Sequence, residues 1–300
     1  MVECPHPSLR KTPAGYACSA CGQPVAMAGG MAGGIAGGAL PASAGTSAPP
    51  PTTTRPTPWA EHRLFGVPRG GLVVGAATLP LAGLITAVVP FFCFITGMLS
   101  TLCHEMGHAA AALVTGRPAL PAFDFAYGGG VTMAGERRWW LLALYAVAVV
   151  TVWRQSAARP RLRRLLEVAT AAVVLLLVTG LDEAWFVAMG HGGELLAAGI
   201  FLYRAFTGVA EIQPGERWLY GVMGWCLLGH ALSLDWRLLF DPEFQDLYLL
   251  GKRGVDNDLV RLANDVLGTG LGTVAWLALL VGLLVPPLAL LAAARWPRER

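Results

Sequence analysis

Residues 91–115 read FFCFITGMLSTLCHEMGHAAAALVT. The stretch is long and apolar enough for a membrane-crossing helix, which needs about 20 such residues. Yet it carries His104, Glu105 and His108. Ionisable groups inside a bilayer are expensive and mark function. Here three fall within five residues, with no basic side chain close by to compensate. A bound divalent cation resolves the conflict. Positions i and i+4 share a helix face, so His104 and His108 can grip one metal from one side. Glu105 stands where a carboxylate can take the proton of an activated water, which is the chemistry of HExxH on a helix. Gly107 and Ala109 to Ala112 let a neighbouring helix come close.

The rest of the chain agrees with a membrane setting. Of its 300 residues, 55% are hydrophobic and only 14% charged, with a mean hydropathy of +0.54; soluble domains carry about 25% charged residues. Apolar runs fall at 71–89, 91–115, 139–153, 165–181, 185–206, 217–234 and 270–294. Pro90 separates the first two, and TGRP at 115–118 stops the second, because proline disfavours helix at the residue before it. The expected fold is an all-α polytopic membrane protein with about six crossings. The 15-residue run 139–153 is short for a crossing and reads as re-entrant or interfacial.

The first 60 residues differ in kind. The opening MVECPHPSLR is not the charged-then-apolar pattern of a signal peptide. Residues 1–22 hold Cys18-x-x-Cys21, with Cys4 and His6 upstream. Together these four make a candidate structural zinc knuckle, since a closed zinc site takes four ligands. Residues 23–60, with recurring AGG and then APPPTTTRPTP, read as a flexible linker that stiffens towards its prolines. Residues 61–300 form the membrane domain. Cys93, Cys103 and Cys226 lie in apolar runs and read as inert packing.

Charge suggests sidedness. The segment 154–164 carries five arginines and no acid, and Arg117, Arg137, Arg138 and the terminal RWPRER are also basic. Six crossings with 139–153 turned back place all of these in the cytoplasm. The N-terminal tail and the C-terminus are then cytoplasmic, and 235–269 is the long external loop. Within it, 241–268 reads as a turn and an amphipathic helix capped by Asp256 or Asn257, its acids on a solvated face. A net charge of +3, with no basic patch interleaved with aromatics, excludes nucleic acid as a partner.

HEMGHAAA in an apolar helix resembles the site-2 protease family of intramembrane zinc metalloproteases. The resemblance covers about residues 91–135. It implies a catalytic zinc on His104 and His108, Glu105 as general base, and a membrane-associated protein or peptide as substrate. The family's strand-like, glycine-containing segment after the motif helix is matched by FDFAYGGGVTM, residues 123–133. Its Leu-Asp-Gly-like motif, which supplies a third ligand, has no counterpart here; SLDWR at 233–237, with Asp235, is the nearest echo.

MGHGGELLAAG at 189–199 offers other candidates, His191 and Glu194, at i and i+3 on one face. Glu194, His191 and Asp235 therefore remain open as the third ligand, with Glu194 taken first and His191 as an alternative ligand or an orienting partner. His230 reads as a core histidine. Two other functions use the same residues: a membrane zinc transporter, or a catalytically inactive zinc-binding membrane protein. Run 71–89 has no ionisable residue, which argues against a conduction path, and an intact Glu105 argues against a purely structural site.

Overall fold

The computed structural model describes residues 9–12, 15–18, 24–25, 63–124, 129–213, 215–251 and 257–295. Two compact units result, Met1–Thr54 and Arg55–Arg300. In the first, β1 (Leu9–Thr12), β2 (Gly15–Cys18) and β3 (Pro24–Val25) pair antiparallel in that order. The third strand lies beyond residue 22, so the structured part extends into the segment read as linker. Cys18 closes β2, whereas Cys4, His6 and Cys21 lie outside the described residues.

The second unit is mostly helical. A short hairpin of β4 (Arg63–Leu64) and β5 (Val67–Pro68) leads into α1 (Arg69–Val88) and α2 (Pro90–Val114). The hairpin β6 (Ala119–Asp124) and β7 (Gly129–Ala134) follows, then α3 (Trp139–Gln155), α4 (Pro160–Thr179), α5 (Asp182–Thr207) and α6 (Glu216–Phe240). After α7 (Pro242–Leu249) comes α8 (Asp258–Arg261), a π-helical turn (Leu262–Leu267) and α9 (Leu271–Arg295).

Local chemistry sets these ends. Proline opens α2, α4 and α7, where its missing N–H is no loss. Gly180 and Gly208, at φ +72° and +69°, end α4 and α5 in the left-handed conformation that glycine tolerates. Asp182 and Glu183 lie in the first turn of α5 and Arg204 in its last, each complementing the helix dipole.

Among the described residues, three helices are long and apolar enough to cross a membrane: α1, α5 and α9. Their outward leucines, such as Leu79, Leu84, Leu277 and Leu283, are about half exposed, as a lipid-facing surface would be. At the centre stands α5, packed against α1, α2, α6 and α9. Small residues make the close crossings. A Cβ on Gly107 of α2 would lie 2.0 Å from the Met189 carbonyl oxygen of α5, and one on Gly221 of α6 would lie 2.4 Å from the Thr78 hydroxyl of α1. Val67, Ala198, Leu202, Phe206, Ala289 and Ala293 pack into one core cluster. The entry to α1 and the end of α9 thus meet beside the C-terminal half of α5.

The opposite end is ionic. Glu183 accepts from Arg117 Nη1 through Oε2 at 2.6 Å and from Arg261 Nη2 through Oε1 at 2.9 Å. Asp182 pairs with Arg137 and, at 3.4 Å, with Arg117. This corrects the sidedness read from charge. Segments 117–138 and 241–268 meet at one end, on the same two acids, so they do not lie on opposite faces of a membrane. Arg117 and Arg137 are neutralised within the fold and do not count as free positive charge.

The run 139–153, read as re-entrant or interfacial, forms one continuous helix of 17 residues, α3. Helices α3 and α4 form an antiparallel hairpin: the Trp153 indole donates to Glu167 at 2.9 Å, and the Arg163 guanidinium sits over the Trp153 ring. α3 starts beside Gly116, which accepts from Arg138 N–H, and α4 ends next to Asp182. The arginine-rich tip therefore points away from the ionic end.

Candidate metal centre

The site forms where α2 crosses α5 beneath α8. Both histidines of α2 have one ring nitrogen committed to an acceptor. His108 Nδ1 lies 2.7 Å from the Phe186 carbonyl oxygen, and His104 Nδ1 lies 2.8 Å from Glu194 Oε1. A carbonyl or carboxylate oxygen can only accept, so each Nδ1 donates, and a ring in its neutral form offers its lone pair at Nε2. The two Nε2 atoms stand 3.1 Å apart. Asp258 Oδ2 completes the triangle, 2.8 Å from His104 Nε2 and 3.0 Å from His108 Nε2.

Three such atoms at these distances need a proton or a cation among them. The edges of 2.8, 3.0 and 3.1 Å lie close to the ligand spacing of about 3.3 Å in a tetrahedron with zinc-like bonds of 2.0–2.1 Å. Gly190 keeps the space open: a Cβ there would stand 2.4 Å from His108 Nε2 and 2.6 Å from His104 Nε2. The residues present therefore fit a divalent metal ion. Two imidazoles and one carboxylate leave a further coordination position free. Burial raises the affinity of the Asp258 carboxyl for its proton, but the hydrogen bonds to His104 and His108 outweigh this and hold it well below the usual carboxylate range. It is an anion at neutral pH.

A second group of donors, His104, His191 and Glu194, adjoins the first. It shares His104 by the Nδ1 edge. Glu194 also accepts from the Ser100 hydroxyl at 3.0 Å, and His191 stands edge-on to His104 with ring centroids 4.9 Å apart. This arrangement orients the His104 ring from behind and raises its basicity as a ligand. Glu194, the first choice for third ligand, thus lies at the far nitrogen of His104, and His191 lies beside it. Asp235 is buried on α6 but joins neither donor group among the described residues. His230 lines the cavity from α6 rather than packing in the core.

Asp258 was missed. It belongs to the acids read as a solvated face, and that reading is corrected: its carboxylate points inward onto two histidines. Its signal in the sequence is NDLV at 257–260, where Leu259 and Val260 are buried. An acid opening a helix reads first as a cap or dipole partner, which hid a second role. Asn257 does precede α8, but its side chain caps nothing and instead donates to the Tyr248 carbonyl at 2.7 Å.

Glu105 faces the other wall. Its position, one residue on from His104, turns it towards β7. The Thr132 hydroxyl lies 2.6 Å from Glu105 Oε2 and 3.0 Å from the Glu105 backbone oxygen. Gly130 is required by contact: a Cβ there would come within 2.5 Å of Glu105 Cγ. Among the described residues β7 pairs only with β6, so its second edge has no strand partner. His104, Glu105, His108, Gly130, Thr132 and Asp258 line one cavity of about 570 Å³, a size typical of ligand sites. Tyr248 closes it from α7; burial, and then the charge of Asp258, push its phenol up, so it stays neutral.

No family model, curated protein or solved structure matches the chain. What the site can do follows from its donors and its cavity.

Proposed function

We propose that this chain is a membrane-embedded zinc metallopeptidase, a divergent relative of the site-2 protease family, hydrolysing peptide bonds of membrane-associated substrates. One observation carries the reading: two imidazole Nε2 atoms and a carboxylate oxygen converge in a cavity whose opposite wall is Glu105. His104, His108 and Asp258 hold the metal; Glu194 and the Phe186 carbonyl fix the two rings. When bound, zinc supplies Lewis acidity, activating water near neutral pH and polarising a carbonyl.

Glu105 takes the proton of the attacking water on its carboxylate and delivers it to the nitrogen of the departing amine. The Thr132 hydroxyl holds that carboxylate in place. A substrate segment adds along the free edge of β7, backbone to backbone, and Gly130 keeps that approach clear of side chain.

The surroundings belong to the same reading. The long helices packed around α5, with α1 and α9 among them, supply about six crossings. Arg63, Arg69, the 154–164 tip and Arg295 lie away from the ionic end. By the positive-inside bias they face the cytoplasm with both termini. Cys4, His6, Cys18 and Cys21 hold a second, structural zinc in the small N-terminal unit.

The test is Glu105→Gln in purified full-length protein. It keeps the His104-dependent zinc and loses hydrolysis of a labelled apolar peptide. Undiminished hydrolysis in that variant overturns the mechanism.

A further inference from the structure

The ionic end of the bundle does more than neutralise charge. α8 is a single turn of four residues, Asp258–Arg261, and one turn has no stability of its own. Its two charged ends lie at i and i+3. Asp258 reaches the histidines, and Arg261 reaches Glu183 at 2.9 Å. Between them Leu259 and Val260 are buried against Leu238, Leu271 and Val274. That apolar packing holds the turn down, but hydrophobic contact is non-directional. A metal ligand must sit within about 0.2 Å of its place, which asks for a directional anchor.

Glu183 is placed to be one. Its two oxygens are shared between Arg261 and Arg117. Arg117 lies three residues past the end of α2, which carries both histidines. Glu183 itself lies one turn before Phe186, whose carbonyl fixes His108. A single carboxylate thus ties together the three elements that build the site. We infer that Glu183 is a positioning residue for the metal centre: through Arg261 it sets the rotation of α8 that brings Asp258 onto His104 and His108, and through Arg117 it keys that rotation to α2. The inference rests on the metal reading above.

The experiment is zinc binding by metal-free, full-length protein in detergent, measured by competition with a chromophoric chelator and counted as the fraction that His104→Ala removes. Cobalt absorption reports ligand geometry independently of any catalysis. Glu183→Gln and Arg261→Gln are each expected to weaken zinc about tenfold and to alter the cobalt spectrum. The double variant should be no weaker than Glu183→Gln alone, because that change already breaks the contact to Arg261. Arg261→Lys, which keeps the charge, should restore most of the affinity. If Arg261→Gln compromises folding, Glu183→Gln, nearly isosteric, decides alone, with the melting midpoint of metal-free protein as the control. Unchanged affinity and spectrum in Glu183→Gln, with wild type binding zinc, overturn the positioning role and leave packing of Leu259 and Val260 as sufficient. Wild type that holds no His104-dependent zinc overturns the metal reading itself, and this inference with it.

Discussion

Gly190 of α5 lies so close to His108 of α2 that a single added methyl group would stand 2.4 Å from the Nε2 atom. The methyl would also stand 2.6 Å from His104 Nε2, over the edge that joins the two nitrogens. Neither ring can rotate freely out of reach, because its Nδ1 is tied to Phe186 or Glu194. Gly190→Ala should therefore weaken zinc binding at least as much as loss of an outer-shell partner, about 10–100-fold. Gly199→Ala on the same helix is the control, since its Cβ meets only Val285 at an ordinary 3.5 Å. Equilibrium zinc titration of the two variants checks this; equal affinities would show that the histidine pair does not face Gly190 when metal binds.

Asp258 and Glu194 touch opposite nitrogens of His104, and their removal should have different consequences. Asp258→Ala deletes a ligand, so zinc should not survive gel filtration in the presence of a mild chelator. Glu194→Gln keeps a hydrogen-bond acceptor for Nδ1 but loses the charge, and should weaken binding about 10–100-fold while retaining full occupancy at saturating zinc. Metal analysis after each treatment separates the two. The reverse ranking would move Glu194 to the metal and Asp258 to the outer shell.

The hydrogen bond from Thr132 to Glu105 predicts a variant that binds metal but works slowly. Thr132→Val removes the hydroxyl and keeps the shape, freeing a carboxylate that must be aimed. A loss of one such contact, about 1–1.5 kcal/mol, should lower kcat about tenfold with zinc affinity unchanged. Gly130→Ala attacks the same group by contact and should lower kcat further, since the Cβ would overlap Glu105 Cγ. Single-turnover hydrolysis, with zinc content measured in parallel, is the check.

Much of this was legible in the chain. Pro90, read as the break between the first two apolar runs, is where α1 gives way to α2, and TGRP, read as the stop of the second, follows directly on the α2 end at Val114. HEMGH marked one wall of the site because charge in an apolar helix demands a reason. FDFAYGGGVTM suggested a strand and gave a hairpin. Two things were not legible. Which nitrogen of His104 faces the proposed metal depends on Glu194, 90 residues away, and that alone separates a candidate ligand from an orienting partner. The sidedness failed because Arg117 and Arg261 are neutralised by Glu183, 66 and 78 residues distant. A loop that looks strongly basic in sequence is close to neutral in the fold.

The last prediction concerns the crossing that makes the site possible. Gly107 and Gly193 let α2 and α5 touch backbone to backbone: a Cβ on Gly193 would lie 2.5 Å from the Cys103 carbonyl oxygen and 2.8 Å from Gly107 Cα. No side-chain rotation relieves contact with backbone, so Gly193→Ala must push the helices apart. Overpacking of this kind costs about 1–3 kcal/mol, which should appear as a lower melting midpoint of metal-free protein. The displacement also carries Glu194 away from His104 Nδ1, so zinc affinity should fall together with stability. Glu194→Gln in the same background should then add little, because the contact it removes is already strained. A stable Gly193→Ala protein with wild-type zinc affinity would mean that the helices do not cross at these glycines.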